Sequence, residues 1–290
     1  MKELRDLARR LLEDGTVKVV VGWEQGRRGP RPAFVTQPAG TERLVFDHRC
    51  VHNLATYLSP RRTAIAALGR PAVVVKGCDA RAVAGLIRES QIARDHVVLI
   101  GVRCGGVVDR PDDRGELTEE TVADRCRGCA AREPSLADHL LGELPPLPAG
   151  ASRREAALAE MMAATPAGRW AFWEAELARC LRCNACREVC PLCFCERCLA
   201  DKTRPQWVES SPHRRANMTW HVSRALHLAG RCVGCGECER ACPVGVPLGL
   251  ITRRVSQVVA ERFGHTPNDD PAAPSPIGTF RSDDAQEFIL

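Results

Sequence analysis

The apolar positions of the first 140 residues change period several times. Residues 2–12 carry Leu4, Leu7, Leu11 and Leu12 on one face of an otherwise charged segment, which predicts an amphipathic helix. Three near-continuous β-branched runs follow. Residues 17–21 (Val-Lys-Val-Val-Val) end at Gly22, residues 72–76 (Ala-Val-Val-Val-Lys) lie between Pro71 and Gly77, and residues 97–101 read Val-Val-Leu-Ile-Gly. Runs without polar alternation suit strands buried on both faces, hence a mainly parallel sheet. Between the last two runs, Ala82, Val83, Leu86 and Ile87 form a helical stripe behind Asp79, a residue type suited to capping a helix start. The expectation is a βαβ unit inside an α/β domain covering residues 1–142.

The pattern then changes character. Residues 143–153 are rich in Pro and Gly and predict a linker. A helix-rich stretch follows over about residues 153–181, carrying Trp170, Phe172 and Trp173, and residues 217–228 predict another helix, ending at Gly230. Residues 154–263 are thus expected to form a helix-rich domain with a cysteine-dense α+β segment inside it. After Gly264 the chain turns polar and Pro-rich. Residues 264–290 predict an extended tail that packs on another surface or stays mobile.

Cysteine is what makes the chain unusual: there are 16, concentrated in closely spaced runs rather than scattered among loops as in short secreted scaffolds. Metal binding in a thiol-reducing compartment is the better reading. Cys180, Cys183, Cys186 and Cys190-Pro191 follow the spacing C-x2-C-x2-C-x3-C-P, and Cys232, Cys235, Cys238 and Cys242-Pro243 repeat it. This is the spacing of bacterial two-cluster ferredoxins, in which the fourth cysteine of each run serves the other cluster. The expected ligands are Cys180, Cys183, Cys186 and Cys242 for one 4Fe–4S cluster, and Cys232, Cys235, Cys238 and Cys190 for a second. Zinc sites pair separated Cys-x2-Cys knuckles around a tetrahedral ion and fit this repeat poorly. About 40 residues separate the two motifs, where a minimal ferredoxin has a short hairpin. His221, His227, Trp207 and Trp220 in that insert are read as surface or packing residues.

The first domain adds a third constellation. Cys78 and Cys104 follow neighbouring predicted strands, at the carboxyl edge where open α/β sheets place their ligands, and Cys126-Arg-Gly-Cys129 lies in a nearby loop. These four suit a third 4Fe–4S cluster; free thiols plus a small zinc knuckle are the alternative. Lys76, Arg81 and Arg103 surround the same place, and suit either a flavin or phosphate at a helix start or the offset of cluster charge. Cys50 is read as structural. Cys193, Cys195 and Cys198 leave two readings open: packing thiols beside the clusters, or three ligands of a further metal with a fourth from elsewhere.

The formal net charge of +5 accords with clusters that each carry about two negative charges when ligated by four thiolates. Nucleic-acid binding wants aromatics interleaved with base, and aromatics are only 4 %. No run approaches 18 apolar residues and the N-terminus lacks a signal peptide's apolar core, so no membrane span and a cytoplasmic location are expected. No Gly-x-Gly-x-x-Gly follows a strand, no phosphate-binding P-loop occurs, and no nucleophile–base pattern predicts a catalytic residue.

The strings Lys76-Gly-Cys-Asp-Ala-Arg-Ala-Val, Gly101-Val-Arg-Cys-Gly-Gly-Val-Val-Asp and Cys126-Arg-Gly-Cys, followed by the double cysteine motif, resemble the β subunits of deazaflavin-coenzyme-linked hydrogenases and formate dehydrogenases. Similar proteins accompany heterodisulfide-reductase-type complexes. Two departures stand out: the ferredoxin-type segment follows the first domain instead of preceding it, and the family's Gly-Thr-Pro-Cys-Gln string is Lys76-Gly-Cys-Asp here. The resemblance implies an iron–sulfur electron-transfer subunit of anaerobic metabolism, wired to catalytic and electron-accepting subunits of a hydrogenase-like, formate-dehydrogenase-like or heterodisulfide-reductase-like complex. It also implies an alternative, a subunit that binds FAD and reduces or oxidises a deazaflavin or similar hydride carrier.

Overall fold

The computed structural model describes residues 1–112, 115–276, 278 and 282–283. Helix α1 (Lys2–Glu13) buries Leu4, Leu7, Ala8 and Leu11 against a six-stranded sheet. Strand β1 (Val19–Gly26) turns through Gly29 into β2 (Gly29–Val35), antiparallel, with Val20 opposite Val35. The short β3 (Leu44–Val45) also runs antiparallel to β1. After α2 (Thr63–Ala66), strands β4 (Pro71–Val75), β5 (Val98–Val102) and β6 (His139–Leu141) continue the sheet in parallel, in the order β2-β1-β4-β5-β6. The sheet is therefore mainly parallel as expected, with an antiparallel hairpin at one end that the apolar runs did not disclose. Pro30 and Pro32 masked β2 in the sequence; they are tolerated because β2 is the edge strand, where an absent N–H breaks no inner ladder.

Helix α3 (Gly77–Arg88) crosses from β4 to β5. It begins two residues before Asp79, which is a correction to the expected cap. Lys76 holds the cap position, and the Asp79 carboxylate accepts a 2.9 Å bond from the Lys76 backbone N–H. The early start places Cys78 in the helix's first turn, over the carboxyl end of β4.

The second half is helical, with short turns at the cysteine motifs. The helix-rich stretch over 153–181 holds two helices, α4 (Arg153–Ala163) and α5 (Pro166–Ala178). Pro166 cannot continue a helix from α4, and Thr165 Oγ1 caps α5 by accepting from the Gly168 N–H. Then come α6 (Ala185–Glu188), α7 (Arg214–His227), α8 (Glu237–Arg240) and α9 (Leu248–Phe263).

The two halves touch at several places. Arg61 pairs with Glu188, Arg231 with Glu89, and the Asp124 carboxylate caps α4 by accepting from the Arg153 and Arg154 N–H groups. The stretch read as a linker is irregular up to α4 but packed, since Pro145 presses on Gly105 and its carbonyl accepts from Arg132. The first part of the tail packs on the rest of the chain. His265 Nε2 lies 3.0 Å from the Gly230 carbonyl, Asp269 accepts from Ser135, and Arg88 donates to Asn268 and the Asp270 carbonyl. Acidic Asp269 and Asp270 thus lie back on the basic outer face of α3 through Arg81 and Arg88. The remainder of that predicted tail, at residues 277, 279–281 and 284–290, lies outside the described residues.

Candidate metal centres

The sequence repeat is also a backbone repeat. In the first motif Arg182 and Asn184 take left-handed conformations, φ 55° and 60°, and in the second Gly234 and Gly236 take φ 71° and 69° at the equivalent positions. Each left-handed residue reverses the chain between two cysteines, and a single short helix follows in each copy, α6 and α8. Backbone N–H groups in and after these loops point toward sulfur. Arg182 N–H donates to Cys180 Sγ at 3.4 Å, and Val246 N–H donates to Cys242 Sγ at 3.3 Å.

Cys180, Cys183, Cys186 and Cys242 lie close enough for their thiols to bear on one another electrostatically. Leu177, Val246 and Leu248 bury one side of the set, while Cys183 is exposed. Cys190, Cys232, Cys235 and Cys238 line a second, enclosed cavity of about 30 Å³. The fourth cysteine of each motif therefore sits with the first three of the other. In the first domain Cys78, Cys104, Cys126 and Cys129 line a third cavity of about 50 Å³. Gly77 makes this approach feasible: a Cβ there would stand 2.3 Å from the Ala131 carbonyl oxygen. Among the described residues no three His, Cys, Asp or Glu side chains are gathered as ligands of a single ion. The thiols of the second and third sets surround open space.

The three sets stand in series. Cys186 and Cys238 interact electrostatically across the first two, and Cys235 lines both the second and the third cavities. Burial pushes several of these thiols up, Cys238 to about 12 and Cys104 to about 11. As thiolates they need compensation, and buried cations supply it.

Arg224, 4 % exposed on α7, donates to the Cys186 carbonyl at 3.0 Å. Burial works against its charge, yet the thiols of Cys238, Cys190, Cys193 and Cys186 raise it well above the usual arginine range. Lys76 is the counterpart at the third set, held charged against burial by Asp79, Cys78 and Cys104. Its ammonium lies 3.0 Å from Asp79, donates to the His52 carbonyl at 2.8 Å and sits over the Trp23 ring. His52 Nδ1 in turn lies 3.0 Å from Arg240, whose partner Glu237 is held down at about 2 by Arg240 and His52 in spite of burial. A polar bridge thus joins the third set to the second.

Other sequence expectations land differently. Of the three predicted anion-binding residues only Lys76 lines the thiol cavity. Arg81 reaches Asp269, and Arg103 reaches Glu133 and the Gly142 carbonyl. Cys50 is fully buried away from the sets, its thiol pushed up to about 12 by burial. His221, expected to be packing, lies with Nε2 3.2 Å from Cys180 Sγ. Trp220 is buried, with Arg182 over its ring, whereas Trp207 is exposed. Arg224 and His221 were missed as site residues. Their signal was there: Asn217, His221 and Arg224 put polar groups on one face of a helix between two cysteine motifs, and that face is the buried one.

Residues 175–246 match the family described as the 4Fe-4S dicluster domain, which supports two 4Fe–4S clusters in this segment. The chain is also similar to the F420-dependent formate dehydrogenase subunit beta of Methanocaldococcus jannaschii, 33 % identical over 103 residues, which is 35 % of this chain and 26 % of that protein. A second relative, the F420-dependent formate dehydrogenase 1 subunit beta of Methanococcus maripaludis, is 23 % identical over 106 residues, 37 % of this chain and 27 % of that protein. The chain thus spans about a quarter of the length of each of these relatives. Among the described residues no helix is long and apolar enough to cross a membrane.

Proposed function

We propose that this chain is an iron–sulfur electron-transfer subunit of a multi-subunit oxidoreductase, working in the cytoplasm beside catalytic and electron-accepting partners of the hydrogenase, formate dehydrogenase or heterodisulfide reductase type. Cys180, Cys183, Cys186 and Cys242 hold one 4Fe–4S cluster, Cys190, Cys232, Cys235 and Cys238 a second, and Cys78, Cys104, Cys126 and Cys129 a third. When bound, such clusters supply one-electron storage at potentials set by charge, hydrogen bonds and burial. The chain's own contribution is placement and compensation. Arg224 and Lys76 offset thiolate charge, backbone N–H groups of the left-handed turns reach sulfur, and the apolar walls exclude water. The observation that carries the reading is the serial arrangement, with Cys235 lining two of the cavities.

A reductive titration of the anaerobically purified chain tests it. Uptake of at least about three electrons, falling by about one in Cys104→Ser, supports the proposal. A chain that takes up none contradicts it.

One observation favours a second reading, a flavin-containing subunit acting on a deazaflavin or similar hydride carrier. A cavity of about 540 Å³ lies beside Cys104, lined in part by Phe46, His48, Arg103 and Leu117. That is within the size range of cofactor sites. Flavin released on denaturing the purified chain, and lost in Arg103→Ala, would establish it.

A further inference from the structure

Neither the ferredoxin-type motifs nor the third set uses Cys193, Cys195 and Cys198. All three line a separate cavity of about 60 Å³ between α7 and the segment after Cys190, similar in size to the thiol-lined cavities of about 50 and 30 Å³. We propose that Cys193, Cys195 and Cys198 hold a further iron–sulfur cluster through three thiolates. The proposal rests on reading the neighbouring sets as cluster sites.

Several features of the cavity point to an anionic inorganic occupant. Arg187, Arg224 and Arg231 all line it, with Arg187 already paired to Asp201 and Arg231 to Glu89. Arg187 lies near enough to Cys198, and Arg224 to Cys193, for their charges to bear on those thiols. Arg224 is the decisive residue: it is almost fully buried, its Nε has no hydrogen-bond partner, and the charges that weigh most on it are four thiols, Cys193 among them. A buried guanidinium without a compensating anion is costly. Only part of the compensation comes from Cys186, Cys190 and Cys238; Cys193 supplies the side facing this cavity. Leu192, Leu199, Val208 and Trp220 give the apolar remainder of the wall.

The spacing C-x-C-x2-C provides three thiolates from six residues, and no fourth cysteine lines the cavity among the described residues. A three-thiolate set suits a three-iron cluster or a four-iron cluster with one iron open to an outside ligand. Cys195 is exposed, so the open side faces solvent. Cys193 lies within hydrogen-bonding reach of Cys190, a ligand of the second set, which makes the site a side branch of the series.

The test is alkylation of the full chain with iodoacetamide, mapped cysteine by cysteine, before and after iron chelation and without reductant. The expected result is that Cys195 and Cys198 stay unlabelled in the iron-loaded protein and become labelled once iron is removed. Labelling of both in iron-loaded protein, with Cys180, Cys186, Cys232 and Cys238 still protected, overturns the proposal and leaves the electron-transfer reading intact. Protection that survives chelation and yields only to a reductant indicates a disulfide and overturns it too. Labelling of every cysteine from the start contradicts both readings. In support, the double variant Cys195→Ser with Cys198→Ser loses about three to four irons per chain while the protection of Cys232 and Cys238 is kept. Unchanged iron, or loss of zinc instead, overturns the proposal.

Discussion

His221 Nε2 lies 3.2 Å from Cys180 Sγ, deep beneath α7. Burial, with Arg224 and Arg182 nearby, lowers the imidazole to about 4, so the ring is neutral near pH 7. A ligating thiolate can only accept, so the proton belongs on Nε2 and the imidazole donates to sulfur. Such a bond favours the more negative, reduced state of the centre. His221→Leu is expected to lower the midpoint potential of the first site with little loss of iron. One hydrogen bond worth about 1 kcal/mol corresponds to roughly 40 mV for one electron. A redox titration followed by electron paramagnetic resonance reads it, and an unshifted potential would show that the contact is packing alone.

Arg224 stands among thiols of more than one set, so its removal is felt beyond a single site. Arg224→Met leaves the thiolates of Cys186, Cys190 and Cys238 without their buried cation, a loss of about 3 to 5 kcal/mol on the scale of broken buried pairs. The expected outcome is lower iron content and a lower melting temperature for the loaded protein. Arg224→Lys should recover part of the iron, because it restores charge without the fork that reaches the Cys186 carbonyl. Equal iron in all three proteins would show that the charge is not needed.

Gly77 gives a site-selective probe. Alanine is ordinarily the better helix residue by about 1 kcal/mol, yet its Cβ here would meet the Ala131 carbonyl at 2.3 Å. Gly77→Ala is therefore expected to push the Cys126–Cys129 loop away from Cys78 and to cost about four irons, leaving the two ferredoxin-type sites. Iron and sulfide analysis decides it, and a full complement of iron would mean that the loop gives way without harm.

The two glycines of the second cysteine loop should differ. Both have positive φ, but a Cβ at Gly234 meets nothing within 4 Å, whereas one at Gly236 meets Arg125 Cδ at 2.5 Å. Gly234→Ala should cost only the left-handed strain of about 1 kcal/mol, and Gly236→Ala more, since Arg125 must also shift. Comparison of the two melting temperatures in loaded protein checks the order; the reverse order would contradict the packing.

The sequence disclosed what short spacing encodes. The eight ferredoxin-type cysteines, the parallel runs at β4 and β5 and the place of Cys78 and Cys104 at the strand ends were readable because local pattern and chemistry agree there. Features set by long-range contact were not readable. Asp79 has the chemistry of a cap, but it acts from the first turn of α3, accepting from the Lys76 N–H while its carboxylate also pairs with the Lys76 ammonium. Arg81 looks like an anion binder until the tail supplies Asp269. Pro30 and Pro32 argue against a strand unless the strand is known to lie at an edge. His221 reads as a surface or packing residue because the pattern does not show what its face of α7 covers.

The most direct measurement is iron, sulfide and zinc per chain in anaerobically purified protein, with its visible spectrum before and after dithionite. The account predicts at least about eight irons, an equal amount of sulfide, and a brown colour that dithionite bleaches. Zinc without iron or sulfide, in a colourless protein, would contradict it.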